Sequence, residues 1–208
     1  MSPRLLLWSG IALVGLGLAI GAVAVVSDVT DDGPAPRLEG PRMPEGFGAG
    51  NFTLHDQDGH PFELRSTRGR VVAMTFVHSK CTSTCPVTLQ TIRGALDILG
   101  DAGQDPGDVD VLAVTVDPEA DTRRSVRRFL ARQRVPFVRY LLGTRGQLRP
   151  IWKRYGIGPQ GEGQEDHSAY VLLVDRRGVV RVGFPSAQTT PEALAHDLGV
   201  LVGEEAAT

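Results

Sequence analysis

The residues best placed to do chemistry are Cys81 and Cys85, the only two cysteines, held in His78-Ser79-Lys80-Cys81-Thr82-Ser83-Thr84-Cys85-Pro86. Three residues separate them, so on a helical backbone they share one face. Two sulfurs so placed can hold one ion together or close into a disulfide. Thiolates select soft ions, namely Cu(I), zinc or iron–sulfur centres. A bridge across so short a loop would stabilise little, which points to chemistry rather than to a structural staple. The run Val71–Val77 before the cysteines is nearly all apolar and reads as a buried strand. After them, Leu89, Ile92, Leu96 and Leu99 recur at helical spacing. Strand, loop and a helix opening near Pro86 put both thiols at a helix N-terminus, where the backbone dipole favours the thiolate. Lys80 adds positive charge beside Cys81.

A two-sulfur site wants a further donor, and the chain has five histidines. His55 and His60 flank a turn at Asp58-Gly59, and His196 falls on the polar side of the last helix, so all three read as solvated. His78 ends a strand, where alternation points it into or away from the core. It is a candidate neighbour of the sulfurs. His167 lies between the polar, Gly-rich segment 156–166 and a strand at Ala169–Val174, and loops at strand ends commonly present binding residues. Asp117, at the end of a second strand, either orients a ligand or caps the helix that follows.

The elements that must position these groups follow from periodicity and breakers. Residues 51–54 and 61–64 form a hairpin around Asp58-Gly59. Strands are expected at 71–77, 109–116, 137–142, 169–174 and 179–184, the last two joined through Asp175-Arg176-Arg177-Gly178. Helices are expected after Pro86, over 122–133 with Val126, Phe129 and Leu130 inward, up to Tyr155 with Leu148, Ile151 and Trp152 inward, and from Pro191. Strand–helix–strand–helix followed by hairpin and helix predicts an α/β domain, a mixed sheet with helices on both faces.

Upstream, Leu5–Val26 is a run of 22 uncharged residues. At about 1.5 Å per residue it spans the roughly 30 Å hydrocarbon core. Arg4 precedes it and Asp28, Asp31 and Asp32 follow, which places the N-terminus inside and the rest of the chain outside. A cleaved signal peptide ending near Ala22-Val23-Ala24 is the alternative. The reading is therefore a membrane anchor or signal peptide over 1–27, a Pro/Gly/Asp-rich flexible linker over 28–50, and one folded domain over 51–208. The net charge of −2 gives no electrostatic footprint for nucleic acid. Arg123, Arg124, Arg127 and Arg128 read as a solvated helix face, with a docking surface as the alternative.

Four stretches together resemble the Sco/SenC family of membrane-anchored, thioredoxin-fold copper-binding proteins. They are Thr75-Phe76-Val77 leading to Cys81-Thr82-Ser83-Thr84-Cys85-Pro86; Val116-Asp117-Pro118-Glu119-Ala120-Asp121-Thr122; Gly143-Thr144 with 151–157; and Asp166-His167-Ser168 with Leu173-Val174-Asp175 and Gly178. They cover most of 51–200. The resemblance implies a thioredoxin-like fold, a copper site of Cys81, Cys85 and His167 serving Cu(I) and Cu(II), and Asp117 and His78 as neighbours of that site. It also implies a partner, either the copper-bearing subunit of cytochrome c oxidase or another copper chaperone, at the extracytoplasmic face of a bacterial-type cytoplasmic membrane. One departure is that His78-Ser79-Lys80 replaces the Tyr-Thr-Arg-like residues often found before the first cysteine. The resemblance favours a metallochaperone over an enzyme. A thiol–disulfide oxidoreductase using Cys81 and Cys85 is the alternative, and a cysteine peroxidase a weaker one. Oxidoreductases of this fold usually carry Cys-x-x-Cys, and a proline where His167 stands.

Overall fold

The computed structural model describes residues 37–158 and 170–204. Its centre is a five-stranded sheet of β3 (Val71–Val77), β4 (Val109–Thr115), β5 (Val138–Leu141), β6 (Tyr170–Val174) and β7 (Val180–Pro185), in the order β5-β4-β3-β6-β7. Strands β3, β4 and β5 are parallel, while β6 runs antiparallel to β3 and β7 antiparallel to β6. The sheet is therefore mixed. Strands β1 (Thr53–His55) and β2 (Pro61–Glu63) pair separately as a hairpin with Leu54 opposite Phe62.

Every residue of β3 is buried, because both faces of the sheet are covered. Alternation sends Val71, Ala73 and Val77 to one side, where they pack with Leu89 and Ile92 of α1 (Thr84–Asp101), Val126 and Phe129 of α2 (Arg123–Gln133), and Leu194 and Leu198 of α4 (Pro191–Gly203). Val72, Met74 and Phe76 face the other way, onto Leu148, Ile151 and Trp152 of α3 (Arg145–Tyr155) and onto Leu54 and Phe62 of the hairpin. Three of the helices open on a threonine cap. Thr122 and Thr144 form reciprocal capping boxes with Ser125 and Gln147, and Thr190 caps α4 just ahead of Pro191.

One expectation is corrected. Within the linker expected over 28–50, residues 39–49 lie along β7. Met43 N–H donates to the Arg181 carbonyl, Gly183 N–H to Pro41 and Ala49 N–H to Gly178, while Asp197 of α4 accepts from the Glu39 and Gly40 amides at 2.7 and 3.0 Å. Strand β7 is the sheet edge, and its unpaired backbone groups attract any segment that can pair with them. Pro- and Gly-rich composition does not prevent that. The expected membrane anchor over 1–27 and the first part of the linker lie outside the described residues. Among the described residues no helix is long and apolar enough to cross a membrane.

Candidate metal centre

Strand β3 delivers the chain to the site. At its end the Val77 carbonyl accepts Val116 N–H at 3.0 Å and the Tyr140 hydroxyl at 3.1 Å. The chain then turns, with Cys81 N–H closing onto the His78 carbonyl at 3.1 Å. That turn is clamped from below by Asp121, which is 5% exposed. One of its oxygens accepts Ser79 N–H at 2.8 Å, and the other accepts the hydroxyls of Thr115 and Tyr140, each at 2.6 Å. Three elements thus converge on one carboxylate that sits under the site loop. Burial, followed by the charge and hydrogen bond of Asp121, holds the Tyr140 phenol well above its ordinary pKa, so its hydroxyl stays a donor.

The two thiols differ. Both are free; Cys81 is partly exposed and Cys85 buried. Helix α1 starts at Thr84, and Ser83 before it makes no side-chain capping bond among the described residues. The Cys81 sulfur takes that place, accepting Cys85 N–H at 3.2 Å, while Pro86 has no amide to satisfy. Burial by itself would raise the Cys81 thiol. Hydrogen bonds from the Cys85 side chain and amide and from Ser83 outweigh it and hold Cys81 below the usual thiol value. Burial drives Cys85 the other way, well above the usual value, with the Cys81 hydrogen bond and the charges of Cys81 and Asp121 pushing in the same direction. From sequence, both thiols are expected to gain from the helix terminus. Only Cys81 does, because Cys85 points into the core.

His78 joins the sulfurs. Ligand atoms of His78, Cys81 and Cys85 all lie within 4.8 Å of one another. The His78 Nδ1 atom is buried and finds no hydrogen-bond partner among the described residues, a situation that costs about 1–3 kcal/mol. Two sulfurs and an imidazole nitrogen without a protein partner suit a soft or borderline ion. His167 lies outside the described residues. The Asp117 carboxylate accepts Ala120 N–H at 3.1 Å and closes the turn ahead of α2. The carboxylate that reaches the site loop is Asp121, four residues further on, for which sequence reasoning finds no role. Its only signal is its place in the Val116–Thr122 motif. His55, His60 and His196 are exposed or partly exposed, the last two beside Asp56 and Asp197. Arg123, Arg124, Arg127 and Arg128 of α2 are exposed as well, with Arg127 near Asp58 at 3.5 Å.

A dithiol loop between the first parallel strand and its helix, on a mixed sheet with helices on both faces, defines a thioredoxin-like domain. Solved structures agree. BsSco, described as a member of the Sco family of cytochrome c oxidase assembly proteins with a disulfide switch, matches with a TM-score of 0.66 at 22% identity, over 80% of this chain and 100% of that one. Bradyrhizobium japonicum ScoI, solved with copper bound, matches with a TM-score of 0.62 at 28% identity, over 75% of this chain and 99% of that one. The bovine mitochondrial SCO2 homolog is 28% identical over 177 residues, 81% of this chain and 65% of that protein. The chain spans between 44% and 75% of the length of curated relatives it matches. The SCO1/SenC family model matches residues 43–203. The chain belongs to the SCO1/SenC family.

Proposed function

We propose that this chain binds one copper ion as cargo through Cys81, Cys85 and His167, and that it assists assembly of the dinuclear copper centre of cytochrome c oxidase. The observation that carries the reading is the pair of free sulfurs at the head of α1, one of them favouring the thiolate. Thiolate sulfur suits Cu(I), and an imidazole nitrogen lets the same site accept Cu(II). Copper-bound ScoI supports the choice of metal for a relative of the same family. The partner is the copper-bearing oxidase subunit or another copper chaperone. Residues 1–27 serve as a membrane anchor and 28–36 as its tether, which holds the domain on the extracytoplasmic side of a bacterial-type membrane. Anaerobic Cu(I) titration of the reduced full-length chain tests this. One equivalent binds to the parent, none tightly to Cys81→Ala or Cys85→Ala, and His167→Ala binds more weakly. Equal binding by Cys81→Ala overturns the reading.

A second reading, as a thiol–disulfide oxidoreductase, is favoured by the asymmetry of the two thiols. The Cys81 thiolate would attack a partner disulfide, and Cys85 would give up its proton and attack the Cys81 sulfur of the mixed disulfide. Two electrons and the Cys85 proton would pass to the partner, whose second thiolate takes a proton from solvent, leaving Cys81–Cys85 oxidised. Metal-free reduction of insulin at thioredoxin-like rates selects this reading.

A further inference from the structure

We infer that His78 is a metal ligand of this chain. One of its ring nitrogens donates to the ion held by Cys81 and Cys85, so that residues 78–85 carry three donors without His167. The inference rests on the copper reading above and deepens it. Three observations carry it. Ligand atoms of His78, Cys81 and Cys85 lie within 4.8 Å of one another. Nδ1 is buried and has no partner among the described residues; a buried nitrogen left so calls for an ion or a water. The backbone that carries the ring is fixed on both sides, by β3 before it and, after it, by Ser79 N–H on Asp121 at 2.8 Å and Cys81 N–H on the His78 carbonyl at 3.1 Å. The ring is therefore placed beforehand rather than recruited.

The consequence concerns transfer. A site whose only nitrogen came from His167, 82 positions beyond Cys85 in the chain, would fall to two sulfurs whenever that residue is withdrawn. With His78 in the set, the loop keeps a sulfur–sulfur–nitrogen environment that does not depend on His167.

The test uses the full-length reduced chain and Cu(I) supplied through a competing chelator. In the parent labelled with ¹⁵N-histidine, one equivalent of Cu(I) should move a ring-nitrogen resonance of His78. His78→Phe, which fills the same space, should bind Cu(I) about tenfold or more weakly than the parent, the scale expected when even an outer partner of a ligand is lost. The effect should be larger in a His167→Ala background, where His78 is the remaining nitrogen. An unmoved His78 resonance, or His78→Phe binding as tightly as the parent in both backgrounds, overturns the inference. Cys81→Ala, run alongside, separates the two claims: if it loses copper while His78→Phe does not, the copper site stands and only His78 is removed from it.

Discussion

Replacing Asp121 with alanine is the sharpest structural test of how the site loop is held. The carboxylate receives Ser79 N–H, the Thr115 hydroxyl and the Tyr140 hydroxyl. Tyr140 keeps a second acceptor in the Val77 carbonyl, so the substitution orphans two buried donors. At about 1–3 kcal/mol for each, the gross loss is about 2–6 kcal/mol. Removing a buried carboxylate also removes its own desolvation cost, which brings the expected net loss to about 1–4 kcal/mol. That is a large part of the roughly 5–15 kcal/mol typical of a domain. Urea unfolding of the reduced chain should show a lower midpoint with little change in slope. Tyr140→Phe alone should cost about 1 kcal/mol. Because both side chains share one hydrogen bond, the double mutant should fall short of the sum by about 0.5 kcal/mol or more. The same Asp121→Ala protein should bind Cu(I) roughly tenfold more weakly, since Ser79 N–H no longer fixes the loop that carries Cys81. A loss under about 1 kcal/mol, or strict additivity with Tyr140→Phe, contradicts the account of Asp121 as the clamp.

Two further outcomes are expected. Gly178 turns the β6–β7 hairpin at φ +75°, and a Cβ there would meet the Arg68 guanidinium. Gly178→Ala should therefore cost about 1–3 kcal/mol by urea unfolding, and an unchanged midpoint refutes the strain argument. In the reduced, metal-free chain, iodoacetamide should label Cys81 well before Cys85, with a pH midpoint below that of an ordinary thiol. Because the folded pKa of Cys81 lies below its unfolded value, its ionisation supports the fold above the unfolded pKa. That support is lost as pH falls through the folded pKa. Equal labelling of the two thiols at every pH contradicts the asymmetry.

Much of this fold was legible because local signals and packing agree. Strand β3 could be read to the residue, since a short, nearly all-apolar run closed by a polar loop fits a buried strand and is too brief for a helix. The inward faces of α1, α2 and α3 followed from 3.6-residue spacing. What escaped depended on contacts distant in the chain. The segment 39–49 has no periodicity of its own, and its pairing is decided by the free edge of β7 and by Asp197, more than 150 positions away. Asp121 reads as one more polar residue before a helix until β3, β4 and β5 are assembled around it. His78 was left undirected by strand alternation, because alternation ends where the strand does. The rise of the Cys85 thiol was hidden for a related reason. Helix position is visible in sequence, whereas the depth of the side chain is set by the sheet beneath it.

The central claim is that the paired sulfurs hold the cargo. Copper-edge X-ray absorption of the full-length chain carrying one Cu(I) addresses it most directly. The account predicts two sulfur scatterers in the first shell, together with nitrogen. A shell of nitrogen and oxygen alone, with the thiols reduced and intact, would contradict it.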